Sequence, residues 1–219
     1  MDRKFSTLAA AALAALLASG HAAAQSSGWY IGGGPSASRA KFERADFVGL
    51  STGAYSVDDS DVAGKAFGGY RIAPNWAVEF GVTAIGRFEH RFNDGANGRA
   101  KFHYDASAAT VAIAGKLPLG GGFSLSGRLG AAFTAARIRL ASASGNVATT
   151  LIAQGWGGFF DEDRSTTRTN VLWGAGAQYD INPRWGLRLD YDNYGKIGDE
   201  FETGRAKADA WSANVVFRF

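Results

Sequence analysis

His103, Asp105 and Ser107 lie two residues apart in succession, so on an extended strand they share one face and present the three residue types of a hydrolytic set. A serine nucleophile needs its base within roughly 2.6 to 3.2 Å. Side chains two positions apart on one strand stand about 7 Å apart, too far for direct proton transfer. No catalytic residue is assigned, and an acyl-hydrolase is not the expected activity. His90 and His103 flank one polar segment and could meet as strand neighbours, but a metal site needs a third ligand at fixed spacing. Neither a metal nor a cofactor is expected. The glycine runs at Gly32 to Gly34 and Gly120 to Gly122 lack the following helix and the Lys-Ser/Thr ending of a phosphate loop. The chain has no cysteine, which excludes thiolate metal sites and disulfides. Its +3 charge comes from scattered Lys and Arg, with no nucleic-acid footprint.

The remaining charged residues obey a different rule: they alternate with apolar ones. From Trp76, the residues Val78, Phe80, Val82, Ala84 and Phe88 fall on one face, and Glu79, Gly81, Thr83 and Arg87 fall on the other. Phe123, Leu125, Leu129, Ala131 and Phe133 oppose Ser124, Ser126, Arg128, Gly130 and Thr134. Trp211, Ala213, Val215, Phe217 and Phe219 oppose Ser212, Asn214, Val216 and Arg218. The same period predicts eight strands, at about 28–39, 62–72, 76–88, 103–117, 123–138, 170–181, 185–194 and 207–219. Short turns at 73–75, 118–122 and 182–184 alternate with long polar loops at 40–61, 89–102, 139–169 and 195–206. That asymmetry belongs to bacterial outer-membrane barrels.

The expected fold is all-β, an eight-stranded antiparallel up-and-down transmembrane β-barrel. An unpaired amide in hydrocarbon costs several kcal/mol, so the sheet must close. Trp29, Tyr30, Tyr70, Trp76, Tyr179 and Trp185 gather near the short-turn ends as an interfacial girdle. If the apolar set faces lipid, then Lys65, Arg71, Glu79, Lys116, Arg128, Arg188 and Asp190 point into the lumen and make it a polar plug. Pro35 cannot donate to a ladder, so it marks a bulge in the first strand or shortens that strand.

Residues 1–24 read as a signal peptide: Arg3 and Lys4, an Ala/Leu run from Leu8 to Ala18, and small residues at Ala22 to Ala24. Residues 25–219 then form one barrel domain. The third long loop carries Trp156, Phe159 and Phe160 among glycines. These aromatics are a possible contact surface for host or phage, or a cap that packs on the barrel rim.

The chain resembles the transmembrane domain of OmpA. The resemblance rests on Ala66 to Arg71, Trp76, Glu79-Phe80-Gly81, Gly86-Arg87, Lys116-Leu117, Arg128-Leu129-Gly130 and Tyr179 to Pro183. It continues through Arg188 to Tyr191, Ile197-Gly198-Asp199 and Phe217-Arg218-Phe219. It implies that Phe219 is the signal read by the outer-membrane assembly machinery. It also implies that Glu79 and Arg188 are the luminal pair that blocks the pore, with Lys116 as the alternative cation of a gate. Gln178 stands where that family has an acid, a departure from the two-state exchange. The periplasmic peptidoglycan-binding domain of longer relatives is not expected, and wall anchoring is not carried over. The expected role is structural, supporting the envelope and presenting loops, with a small-solute pore or an adhesin as alternatives. The expected surroundings are outer-membrane lipid and lipopolysaccharide around a monomer.

Overall fold

The computed structural model describes residues 28–42, 54–58, 60–93, 98–146, 149, 163–199 and 204–219. Among the described residues nine strand segments make one antiparallel sheet: β1 (Trp29–Phe42), β2 (Ala54–Asp58), β3 (Ser60–Ala73), β4 (Trp76–Asn93), β5 (Gly98–Gly120), β6 (Phe123–Ser144), β7 (Asp163–Asp180), β8 (Trp185–Asp199) and β9 (Gly204–Arg218). β2 pairs with the far end of β4, from Ala54↔Asn93 to Asp58↔Glu89, and continues the row that β3 begins. The ring therefore holds eight strands. It closes where β1 meets β9 and where β4 meets β5.

Adjacent residues on one strand show which solvent the wall was built for. Leu129 is 63 % exposed, while the side chain of Arg128 is 7 % exposed. Phe80, Ile113, Leu125, Phe133, Leu187 and Val215 likewise face outward. A soluble sheet would hide these and display the arginine, so this belt is stable only against lipid. At the short-turn end Trp29 packs on Tyr70, Phe123 on Tyr179 and Trp185 on Phe217, with ring centroids 4.7 to 5.0 Å apart. These form the expected girdle. Tyr30 is the exception: its parity is opposite to that of Trp29, and it lies buried inside the lumen.

The strands run beyond the expected bounds. A tilted strand crosses a bilayer in roughly 9 to 11 residues. The 23 residues of β5 therefore leave about half their length on the long-loop side, and the loops predicted at 89–102, 139–169 and 195–206 are partly ladder. Above the belt the chemistry of the wall inverts. On β5 the outward row changes from Ile113 and Val111 to Asp105, His103 and Lys101, and the inward row becomes Ala106, Tyr104 and Phe102. On β6 Leu129 and Phe133 give way to Arg137 and Arg139 outside, while Ala136 and Ile138 lie inside. The upper barrel packs like a water-soluble protein, with Ile85, Phe88, Phe102, Tyr104, Ile138, Leu172, Tyr194 and Ile197 in one apolar cluster.

Two bulges sit at this boundary. The β4–β5 register steps between Ala84↔Ser107 and Gly86↔Ala106, and the β8–β9 register steps between Asn193↔Asp209 and Gly195↔Ala208. Each inserts one residue and reverses the facing of the strand beyond it. Phe88, expected on the lipid face, is therefore fully buried inside, and Arg87, expected inside, stands outside on Asp105 at 2.8 Å. Gly86 has φ near +139°, and a Cβ there would come within 2.7 Å of the Asp61 Cβ. Gly86→Ala is expected to cost about 1 to 3 kcal/mol, read as a lower urea midpoint in detergent. An unchanged midpoint would mean that the bulge accepts an L side chain.

Pro35 causes neither of the expected disturbances. It pairs with Gly64 in an unbroken β1–β3 register, and β1 continues to Phe42. The β1–β9 bridges merely lapse at Gly34 and Pro35, then resume at Ser36↔Ser212 in the same register.

Candidate functional site

The lumen inside the lipid belt is filled by a charge cluster assembled from four strands. β3 supplies Lys65, β4 supplies Glu79, β6 supplies Arg128, and β8 supplies Arg188, Asp190 and Asp192. Inward parity on each strand dictates this convergence. Arg188 donates to Glu79 through Nη1 at 2.6 Å and Nη2 at 3.3 Å, and through Nε to Asp190 at 3.0 Å. Arg128 lies 3.5 Å from Glu79 and 3.1 Å from Asp192, and it also pairs with Asp190. Lys65 donates to Asp192 at 2.6 Å and to Asp190 at 3.3 Å. The Tyr30 hydroxyl donates to Glu79 at 2.7 Å, and the Asn214 amide donates to Asp190 at 3.0 Å. Three cations thus face three carboxylates, and all six side chains are at most 7 % exposed. An unpaired charge here would cost several kcal/mol, so the matched count is what makes the cluster tolerable. The Phe67 ring supports it from one side, 3.9 Å from the Arg188 guanidinium carbon.

Above this layer the Tyr194 hydroxyl donates to Thr83 Oγ1 at 3.0 Å, joining β8 to β4 across the lumen. Above that bond lies the apolar cluster, where the Phe88 and Tyr104 rings approach to 6.4 Å. The lumen is therefore stopped twice, by ions in the lower barrel and by hydrocarbon in the upper. The expectation of a wholly polar plug holds only for the lower layer.

Glu79, Arg128, Arg188 and Asp190 meet as parity places them. Lys116 does not join them: it sits nearer the short turns and donates to Asp180 at 2.9 Å. The second cation on Glu79 is Arg128. Gln178, standing where an acid was expected, donates to Asp180 at 2.6 Å. Asp192 and Tyr30 were missed. Asp192 shares the parity of Arg188 and Asp190 two residues further on, so the alternation already carried it. Phe219 is exposed at the short-turn end, edge-on to Phe217 at 5.2 Å. His103, Asp105 and Ser107 lie on the outer wall above the belt, with Asp105 engaged by Arg87. Among the described residues no group of three potential ligands could hold a metal ion. Trp156, Phe159 and Phe160, and the proposed signal peptide, lie outside the described residues.

The model of the OmpA-like transmembrane domain family matches residues 24–219. Among solved structures, the chain is similar to Ail, the attachment invasion locus protein of Yersinia pestis. It has 20 % identity to Ail, with 88 % of this chain and 99 % of that one covered, at a TM-score of 0.50. Ail in complex with the heparin analogue sucrose octasulfate aligns at 17 % identity over 87 % and 97 %, with a TM-score of 0.52. OprG from Pseudomonas aeruginosa aligns at 17 % identity over 88 % and 96 %, with a TM-score of 0.48. At these identities the likeness to Ail speaks for the fold alone. No curated protein matches the sequence.

Proposed function

Because the chain belongs to the family of OmpA-like transmembrane domains, barrels of the bacterial outer membrane, we propose that it is a closed structural barrel of that membrane which carries its surface loops on a rigid extension. The carrying observation is the double stop in the lumen: a neutral ion cluster below and a packed apolar cluster above. A conducting path would have to separate both. In this reading the chain has no catalytic role, residues 1–24 direct export and are removed, and Phe219 is read by the assembly machinery. The barrel is a monomer in lipid and lipopolysaccharide. The loop bearing Trp156, Phe159 and Phe160 is the surface offered to host or phage.

The extension serves presentation directly. Its outer wall carries Arg87, Lys101, Arg137 and Arg139, and its inside is hydrocarbon, so it stands in water without a partner. Planar-bilayer recording of the refolded protein tests the proposal. Wild type is expected to show no resolvable conductance steps, and Glu79→Ala is expected to show none either, because Ile85, Phe88 and Tyr104 still close the lumen above it. Regular steps from wild type would overturn the closed barrel in favour of a small-solute pore. Steps that appear only in Glu79→Ala would make the ion cluster a gate.

A further inference from the structure

Three hairpins ring the membrane end opposite the loops, and each brings a proline in or beside its turn: Pro74, Pro118 and Pro183. Proline fixes φ and stiffens the rim, so the opening between them has a set shape. It is a wide, open mouth of about 330 Å³. Water occupies ~30 Å³ per molecule in the liquid, so a hydrated oxyanion fits.

The lining carries Arg71, Lys116 and Arg218, with Asp180 as its only acid. Asp180 is already shared: Lys116 donates to it at 2.9 Å, Gln178 donates at 2.6 Å, and Arg218 pairs with it as well. Arg71 has the same inward parity, and no residue described around it is its ion-pair partner. Three cations against one carboxylate leave a surplus of two positive charges in the mouth. A smaller cavity of about 50 Å³ adjoins it, sharing Arg71, Lys116 and Arg218, and is lined on its inner side by Tyr30, Glu79 and Arg188.

We propose that this mouth is a binding site for a small phosphate-bearing anion from the periplasm. Arg71 would supply the fork of donors that suits phosphate geometry, and Lys116 and Arg218 the remaining charge. Arginine and lysine recognise the phosphate of a soluble compound and that of a lipid headgroup equally well. Position separates the two sources here. The cations point into the lumen, whereas lipid headgroups meet the outer wall at Trp29, Trp76 and Trp185.

The test uses the full barrel refolded in a maltoside detergent and a phosphate-free buffer, with nitrogen-15 in arginine and lysine side chains. Inorganic phosphate is titrated against chloride at matched ionic strength. Saturable movement of the Arg71, Lys116 and Arg218 signals with phosphate but not chloride is expected. Arg71→Gln should weaken binding at least tenfold, and Arg87→Gln on the outer wall should leave it unchanged. Both side chains are exposed, so both variants should fold, and heat-modifiable gel migration checks that they do. Equal movement with chloride would reduce the effect to screening and overturn the site, as would equal affinity in Arg71→Gln. A third arm adds phosphatidylglycerol to the micelles. Movement with that lipid alone, and none with inorganic phosphate, would overturn the soluble ligand.

Discussion

Arg128→Ala is expected to lower the stability of the membrane-embedded barrel by about 3 to 5 kcal/mol, the usual cost of removing one partner from a buried ion pair. Arg128 reaches all three carboxylates of the lumen, at 3.5 Å from Glu79, 3.1 Å from Asp192 and in contact with Asp190. Its loss leaves Lys65 and Arg188 to balance three buried negative charges. The apolar cluster above closes the route from those charges to water on the loop side, and all three carboxylates are at most 6 % exposed. Urea unfolding in phospholipid vesicles, followed by tryptophan fluorescence and gel migration, gives the value. Arg128→Met combined with Asp192→Asn restores two cations to two carboxylates and should recover part of the loss, which a simple packing defect would not do. The comparison is Arg87→Ala, whose partner Asp105 lies on the solvated outer wall and whose own side chain is 73 % exposed. That change should be close to silent. If Arg128→Ala is as mild as Arg87→Ala, water already screens the lumen and the ion cluster does not hold the wall.

The residues that the sequence placed correctly are those whose position depends on parity alone. Leu125 and Leu129 against Arg128, and Phe80 against Glu79, follow from period two in a straight strand with one face in lipid. Parity breaks where a strand gains a residue. Nothing in Ala84-Ile85-Gly86 except its glycine distinguishes a bulge from ordinary ladder, so Arg87 and Phe88 were assigned to each other's faces. Partner choice across the lumen is a further step removed. Whether Glu79 meets Lys116 or Arg128 depends on strand tilt and stagger, which set the height of each side chain, and alternation carries no height. Tyr30 shows another limit. Its residue type suggests the girdle, but its parity places it inside, where its hydroxyl has a carboxylate to bond. The inversion above the membrane was written in β5 and β6, since Lys101, Asp105, Arg137 and Arg139 already alternate with Phe102, Tyr104 and Ile138. Asp105 and Arg137 fall within the strands predicted at 103–117 and 123–138, but Lys101 and Arg139 just beyond them suggest loop, because oil is expected on the outside.

The inverted upper barrel makes the second large prediction, because it gives two phenylalanines on one strand opposite solvents. Phe88 is fully buried, paired across β4–β5 with Tyr104 and packed in the apolar cluster, while Phe80 is about half exposed on the lipid belt. Phe88→Asp places a charge in a packed apolar cluster, at a cost of several kcal/mol. The damage should stay in the extension. The membrane ring below has its own ion cluster and its own ladder, and lipid still holds its outer face. Gel migration should therefore remain heat-modifiable, while protease added from the loop side should cut the variant far faster than wild type and leave a protected membrane fragment. Phe80→Asp should fail in the opposite way. The charge must enter lipid before the ring can close, so folding yield into vesicles should fall and heat-modifiable migration should be lost with it. The contrast also separates the inverted reading from ordinary fragility: a barrel that is oily outside throughout would have Phe88 in contact with lipid or water, and both substitutions would then depress insertion alike. Protease resistance of Phe88→Asp equal to wild type would show that the upper cluster is not a packed core. The rigid platform assigned to the loops would then have no physical basis.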